Sequence, residues 1–506
     1  VWQKLRPSKP ATVAFFVGLR RDYDRARFGS RRASPDTIAT MIDLRQLRDD
    51  PQRFRDGARK KRIDVDIDRL LTLDERKRAL MQEQESLRAK KRKLEKEIGP
   101  QIGGMMGRIK KTQGEERAAL EHELSSLREQ PIALKRTIRE LDEALAQVEP
   151  ELTALLLETP LPPAPEVPDG ETSDDNVELR RWNPPTFDTS RSFEENRGYS
   201  PPSHIELGQR LGLFDFERGV KMAGARSYVL TGDGMRLHQA ILRYAFDFMT
   251  DKQGFTPVSV PVLVREDVMV GTGFYPGGRD QAYCVDEKCR GANQDLHLTG
   301  TGEVGLMGYR AGEILEWDEL PVKMTTVSTC FRREAGAAGK DTAGLFRIHQ
   351  FDKVEQVVLC APGAQRSLDW HKRMIGFVEE ILQSLALPYR LVQCCAGDLG
   401  AKNADMIDIE CWMPSRGASE NGANPPGAYA ETHSASRLDD FQTRRLGIRV
   451  RDPKTGGMVF PYSLNNTVAA SPRILIPLLE MHQNADGTVT IPEPLRPHMG
   501  GRTRIG

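Results

Sequence analysis

The 506-residue chain contains no run of eighteen apolar residues. Its longest candidate, Ala11 to Leu19, is too short to cross a bilayer, so no membrane-spanning helix is expected and a cytoplasmic protein without a membrane partner is. Cysteine is scarce. The seven thiols, Cys284, Cys289, Cys330, Cys360, Cys394, Cys395 and Cys411, are odd in number and lack paired short spacings, which excludes a disulfide scaffold and fits a reducing compartment. Cys284 and Cys289 have no second pair or nearby histidine to complete a tetrahedral site, so no zinc is expected. Excess charge of one sign is also missing: 73 basic residues face 72 acidic ones, so any nucleic-acid surface must be a local patch.

What is present is length and pattern. A chain of this size with 39% hydrophobic residues can bury one large core and a smaller module. Residues 1–40 are rich in arginine and poor in acids, as in a transit peptide or a stretch read from an upstream start, and the patterned sequence begins at Met41. We read 1–40 as an extension of unknown role.

From Leu73 a leucine recurs every seven residues, at Leu80, Leu87 and Leu94, until Gly99-Pro100 offers a stop. A second stripe runs through Leu120, Leu124, Leu127, Leu134, Ile138, Leu141, Leu145, Val148, Leu152 and Leu155 in steps of three and four almost throughout. The intervening Gly99, Gly103, Gly104, Gly107 and Gly114 suit a turn, so the two stripes predict an antiparallel helical hairpin with a kink at Pro131. Toward its tip lie Arg88, Lys90, Lys91, Arg92 and Lys93, which could neutralise phosphates but on charge alone read more readily as a solvated face. Pro160, Pro162, Pro163, Pro165 and Pro168 then forbid a helix and predict a linker over 158–176. Beyond it, short β-branched runs alternate with helical stretches, as in a mixed α+β domain.

Arg332 and Glu334 follow a strand-like run, Lys323 to Cys330, and can address one ligand together. A guanidinium matches phosphate oxygens and a carboxylate can accept from the exocyclic amine of adenine, although an Arg-x-Glu pair alone is more often a surface ion pair. The context is longer than the pair. The segment FRREAGAAGKDTAGLFRIHQFDKVE, Phe331 to Glu355, resembles the second signature motif of seryl-tRNA synthetases, which are class II aminoacyl-tRNA synthetases. Leu464 to Glu480, with Arg473 opening an apolar run, resembles the third motif, and Gly254 to Pro261 looks like the first, which in that family builds the dimer interface. Met41-Ile42-Asp43-Leu44-Arg45 is similar to the family's usual start. The resemblance is of bacterial or organellar type and covers all but the first forty residues.

The resemblance implies an α+β chain: a tRNA-binding coiled-coil arm over 41–157, then the linker, then a catalytic domain over 177–506 with an antiparallel sheet flanked by helices. It implies a serine-tRNA ligase that forms seryl-adenylate from ATP and L-serine and charges tRNA(Ser), and also tRNA(Sec), as a homodimer. Arg332 and Arg473 become the catalytic cations, on the α-phosphate and on the adenine and γ-phosphate respectively. Arg333, Glu334, Phe351, Glu431, Thr432, His433 and Ser434 complete the ATP site, with Glu431 and Ser434 holding Mg²⁺. Thr301, Gly302, Glu303, Glu355 and Thr467 are implied for serine, and the run Arg88 to Lys93 for tRNA. Gly302, His433 and Thr467 depart from the usual alanine, serine and serine of the family, and Ser471-Pro472 replaces Val-Gly before Arg473. Two rival readings are a catalytically idle relative that binds RNA through the same arm, and a ligase that charges a carrier other than tRNA.

Overall fold

The computed structural model describes residues 41–285, 296–337, 339, 341, 343–417 and 427–506; the extension 1–40 and Cys289 lie outside the described residues. Two short helices come first, α1 (Leu44–Asp49) and α2 (Pro51–Lys60), each started by an aspartate whose carboxylate accepts backbone N–H groups, Asp43 and Asp50. Pro51 in the first turn of α2 loses no bond that the helix would have made.

The hairpin is formed by α3 (Ile67–Ile109) and α4 (Glu115–Glu158). The stop read at Gly99-Pro100 is not where α3 ends. The helix passes through Pro100 because the apolar stripe continues at Ile98, Ile102, Met105 and Ile109. A proline in a helix interior costs about 3 kcal/mol, which the packing of one long face against α4 can offset. The turn therefore lies at Lys110 to Gly114, where Gly114 takes a positive φ of 67°. At Pro131 the expected kink leaves no break in α4, which also continues through Pro150. The antiparallel register is visible in Arg69 to Glu151 at 2.7 Å, Gln84 to Asp142 at 2.6 Å and Arg88 to Asp142 at 3.2 Å. At its base, fully buried Leu47, Leu70, Leu152 and Leu156 tie α1 to both long helices, each worth roughly 2 kcal/mol of burial.

The proline-rich stretch after α4 is extended, as five prolines dictate, yet it is pinned to the next domain: Leu161 N donates to Ala401 O at 2.9 Å and Ala164 N to Ala404 O at 2.8 Å. Val167 packs with Cys394, Ala396 and Leu399.

The second part is built on one sheet. Its elements in chain order are β1 (Val177–Trp182), α5 (Gly232–Asp247), β2 (Thr256–Pro257), α6 (Gly302–Tyr309), β3 (Val322–Phe331), β4 (Gln350–Cys360), α7 (Ala364–Ser384), β5 (Tyr389–Gln393), β6 (Asp405–Met413), β7 (Ala428–Asp439), α8 (Phe441–Arg445), β8 (Tyr462–Ser471) and α9 (Leu475–His482). The eight strands lie in the order β1-β5-β6-β7-β8-β4-β3-β2. All neighbours are antiparallel except β2, which runs parallel to β3 at the edge. Helices α5 and α7 cover one face: His238 of α5 meets Asp352 at 3.0 Å, and Gln356 and Asn466 both donate to Met374 O of α7 at 3.1 Å. Because side chains alternate, Phe351, Lys353 and Glu355 of β4 must point to the opposite face. That face carries the site. Among the described residues no helix is long and apolar enough to cross a membrane.

Candidate active site

Strand alternation alone does not assemble the site; two register slips do. Between β6 and β7, Glu410 pairs with Glu431, Ile409 with His433 and Asp408 with Ser434, so Thr432 is an extra residue in β7. Glu431 and Ser434, which a regular strand would put on opposite faces, thus share one. His433 is turned the other way, 1% exposed, its ring on the Thr432 hydroxyl at 2.8 Å. It does not face solvent, and that burial lowers its pKa to about 3. The second slip is in β8, where Val354 pairs with Ala469 and Glu355 with Thr467, leaving Val468 as the extra residue. Thr467 and Ala470 consequently open on the same side as Phe351 and Lys353.

The result is a cleft lined by Arg332, Glu334, Phe346, Ile348, Phe351, Lys353, Glu431, Thr432, Thr467, Ala470 and Arg473. At one wall the Arg332 guanidinium lies over the Phe351 ring at 5.3 Å, and its Nε donates to Gly300 O at 3.4 Å. At the other, Arg473 sits over Phe346 at 4.5 Å, donates through Nε to Phe346 O at 3.1 Å and reaches Glu431 Oε2 at 3.4 Å. Burial pushes the Arg473 pKa down and the Glu431 carboxylate pulls it back up. Glu334, at a positive φ of 52°, has its Oε2 fixed by Arg347 at 2.8 Å. A ring, two guanidiniums and a clamped carboxylate around one cleft suit a purine nucleotide with its phosphates.

Beside Glu431, the Asp408 carboxyl is held well above the ordinary carboxylate range by burial and by the Glu431 charge, and its Oδ1 makes no hydrogen bond. Among the described residues no group of three or more His, Cys, Asp and Glu side chains could hold a metal by itself.

Deeper in, Thr301 caps α6, accepting Glu303 N at 3.2 Å, and its Oγ1 donates to Glu355 Oε2 at 2.8 Å. Lys353 Nζ donates to the same hydroxyl at 2.9 Å and pairs with Glu355. Glu303 Oε1 accepts from Lys402 Nζ and from Gln442 Nε2, each at 2.6 Å. Gly302 packs so closely that a Cβ would stand 2.5 Å from Thr326 Cγ2. Arg333 is exposed and is not among the residues that line the cleft, its backbone N bonded to Gln281 O at 2.9 Å. On the arm, Arg88, Lys91 and Arg92 line one groove, while Lys90 and Lys93 are exposed beyond it.

Sequence reasoning missed Lys353, Phe346, Lys402, Gln442 and Asp408. Lys353 was within reach, since it lies midway between Phe351 and Glu355 on one strand face. Phe346 also lies inside the Phe331 to Glu355 motif, whereas Lys402, Gln442 and Asp408 reach the site from distant segments.

A model of the seryl-tRNA synthetase N-terminal domain matches residues 41–161, and one of the class II tRNA synthetase core domain (G, H, P, S and T) matches residues 283–482. The chain is 40% identical over 467 residues to the serine-tRNA ligase of Deinococcus radiodurans, covering 92% of this chain and 99% of that one. With the serine-tRNA ligase of Streptomyces coelicolor it shares 40% over 464 residues, 91% and 98% of the two chains. Among solved structures it resembles the seryl-tRNA synthetase of Pyrococcus horikoshii complexed with ATP (TM-score 0.72, 33% identity, 92% and 99% covered). It also resembles the cytoplasmic serine-tRNA ligase of Naegleria fowleri in complex with AMP (TM-score 0.73, 29% identity, 92% and 98% covered).

Proposed function

The chain belongs to the seryl-tRNA synthetase family, and from that premise we propose how its own residues carry out the reaction of a serine-tRNA ligase, the activation of L-serine by ATP and its transfer to tRNA. The observation that carries the proposal is the single cleft in which Arg332, Phe351, Glu431 and Arg473 converge from four separate segments.

The adenine stacks on Phe351 beneath Arg473, and Glu334, aimed by Arg347, accepts from its amine. Arg333, Thr432, His433 and Ser434 complete the ATP surroundings, Arg333 from the rim and His433 only by supporting the strand. A serine carboxylate oxygen attacks the α-phosphorus and pyrophosphate leaves; Arg332 neutralises charge on the α-phosphate and Arg473 on the departing end. The terminal ribose 3′-hydroxyl of tRNA then attacks the seryl carbonyl and AMP leaves. No covalent enzyme intermediate is involved, so positioning and electrostatics supply the rate.

Mg²⁺ is the metal such a triphosphate requires. Glu431 and Ser434 on one face, with the unpartnered Asp408 oxygen behind them, are hard oxygen donors of the kind it takes, too few to form a cage without phosphate and water. Bound there, it would screen the phosphate charges that Arg332 and Arg473 also face.

Serine lies over Thr301, Gly302, Glu303, Glu355 and Thr467. Carboxylates suit its ammonium, and acceptors paired with its hydroxyl reject alanine by leaving buried polar atoms unmatched. The arm residues Arg88, Lys90, Lys91, Arg92 and Lys93 contact tRNA(Ser) and tRNA(Sec). Two copies join through residues 254–261, whose strand β2 is the edge of the sheet, and the dimer works in the cytoplasm. The test is serine-dependent ATP-pyrophosphate exchange with a panel of serine, threonine, alanine and cysteine. Serine should be preferred at least a hundredfold; exchange with every member or with none overturns the reading.

A further inference from the structure

The strongest unassigned feature is the loop Gly400–Asn403, because groups from four parts of the chain meet on its few residues. From the base of the arm comes Lys61, the residue that follows α2. It is 4% exposed, and its ammonium donates to three main-chain oxygens of that loop, Gly400 O at 2.9 Å, Ala401 O at 3.4 Å and Asn403 O at 2.5 Å. From the pinned stretch after α4 comes Leu161, whose N–H donates to Ala401 O at 2.9 Å. The sheet contributes Ser436 of β7, which receives the Asn403 side-chain amide at 2.8 Å. The fourth direction is outward from the loop. Lys402 sends its ammonium to Glu303 Oε1 at 2.6 Å, over the Phe274 ring at 3.9 Å, with its side chain only 14% exposed.

Two buried lysines therefore work in series. Lys61 organises the backbone of the loop, and the loop delivers Lys402 to a carboxylate in the amino-acid pocket. Burying an ammonium is costly unless its donors are all used, and Lys61 uses them on the three carbonyl oxygens of this loop. A lysine chosen only for stability has no need to select the one loop that carries the counter-charge of Glu303. With Glu303 gripped at Oε1 by both Lys402 and Gln442, its orientation depends on where Lys402 stands. Moving that carboxylate by a fraction of an ångström changes how it meets a small cation but leaves the ATP wall, made by Arg332, Phe351 and Arg473, where it was.

We propose that Lys402 is a positioning residue for the amino-acid substrate, and that Lys61, seated at the base of the arm, sets Lys402 through the Gly400–Asn403 loop. The arm base thereby governs affinity for the amino acid as well as holding the arm. This rests on the serine-activation reading above and names a control on the same pocket.

The experiment is steady-state pyrophosphate exchange on the full chain without tRNA, with KM measured separately for serine and ATP. Lys402→Met should raise the serine KM at least fiftyfold and Lys402→Arg should recover part of it. Lys61→Met should raise the serine KM five- to twentyfold, with the ATP KM within twofold and kcat within threefold. Lys61→Gln, which keeps a donor for the carbonyls, should fall between Lys61→Met and the parent. An unchanged serine KM in folded Lys61→Met overturns the coupling, as does a parallel change in the serine KM, the ATP KM and kcat. Unfolding of both Lys61 variants would make it a stability residue only and also overturn it. A parent chain that shows no serine-dependent exchange would instead remove the underlying reading, so the two failures are distinct.

Discussion

Glu431 and Ser434 stand on the same face of β7 although they are three residues apart, because Thr432 is an extra residue opposite the Ile409–Glu410 step of β6. A pair at that spacing on a regular strand would straddle the sheet. The bulge would let one carboxylate and one hydroxyl address the same phosphate-bound cation as proposed, so their loss should be read in the metal dependence. Glu431→Gln should raise the Mg²⁺ concentration for half-maximal exchange at least tenfold, and Ser434→Ala by a few-fold. A Mg²⁺ titration that overlays the parent curve for Glu431→Gln would rule the pair out as ligands.

The exposed Arg332 side chain makes one long hydrogen bond, to Gly300 O, besides its contact with the Phe351 ring, so little of the fold depends on it. Arg332→Ala should leave the thermal midpoint within a degree or two of the parent. Exchange should fall by about 10²- to 10³-fold, the usual effect of removing one charge-stabilising donor. Near-normal exchange in the folded variant would sink its catalytic role.

The hairpin can be shortened without touching its base. Gln84 and Asp142 face each other at 2.6 Å, so a short Gly-Ser turn can replace residues 85–141 and retain Leu73, Val148 and Leu152 along with Lys61. Exchange and the serine KM should survive, whereas charging of tRNA should drop by orders of magnitude. Charging at the parent rate would show that the arm is not the tRNA contact.

Acid stability offers a separate check. His482 Nε2 meets Leu385 O at 2.8 Å, and burial lowers its pKa from 6.5 to about 4. Between those values the unfolded chain takes up a proton that the folded chain refuses, so stability falls as pH drops from 6.5 toward 4 and is level in this respect above 6.5. Asp439, pushed up to about 6 by burial, acts oppositely: its contribution is present below pH 3.8 and is lost as pH rises through 6. Urea midpoints measured from pH 7 to 4 should decline less steeply in His482→Gln than in the parent. Equal slopes would contradict a neutral buried ring.

How much of this was legible beforehand depends on whether the signal was local. The heptads of α3 and α4 and the motif around Arg332 lie in contiguous sequence, and the hairpin and the meeting of Arg332, Glu334 and Phe351 at one cleft followed from them. Pro100 misled because a proline is a local stop signal, while the packing stripe that overrides it, Ile98 to Ile109, is weakened by four intervening glycines. The contacts of Lys402 and Gln442 with Glu303 could not be found, since they reach it from residues about a hundred or more positions away. The bulges at Thr432 and Val468 were equally hidden, because register is set by pairing and not by composition.

Gly302 tests whether the serine end of the pocket is packed as tightly as it looks. A Cβ there would lie 2.5 Å from Thr326 Cγ2, 2.9 Å from Ser328 Oγ and 3.3 Å from Glu355 Cβ, and the first of these cannot be relieved without moving β3 or α6. Gly302→Ala should therefore destabilise the chain by about 1–3 kcal/mol, the usual cost of overpacking, and raise the serine KM as Glu355 is displaced. The obstacle is one methyl group. Thr326→Ser removes it and keeps the hydroxyl, so the double variant Gly302→Ala/Thr326→Ser should recover most of the lost stability. Residues in contact couple, and the cycle of thermal midpoints should show a clear non-additivity. Strict additivity would mean that the two side chains do not meet, and that the glycine is kept for backbone reasons instead.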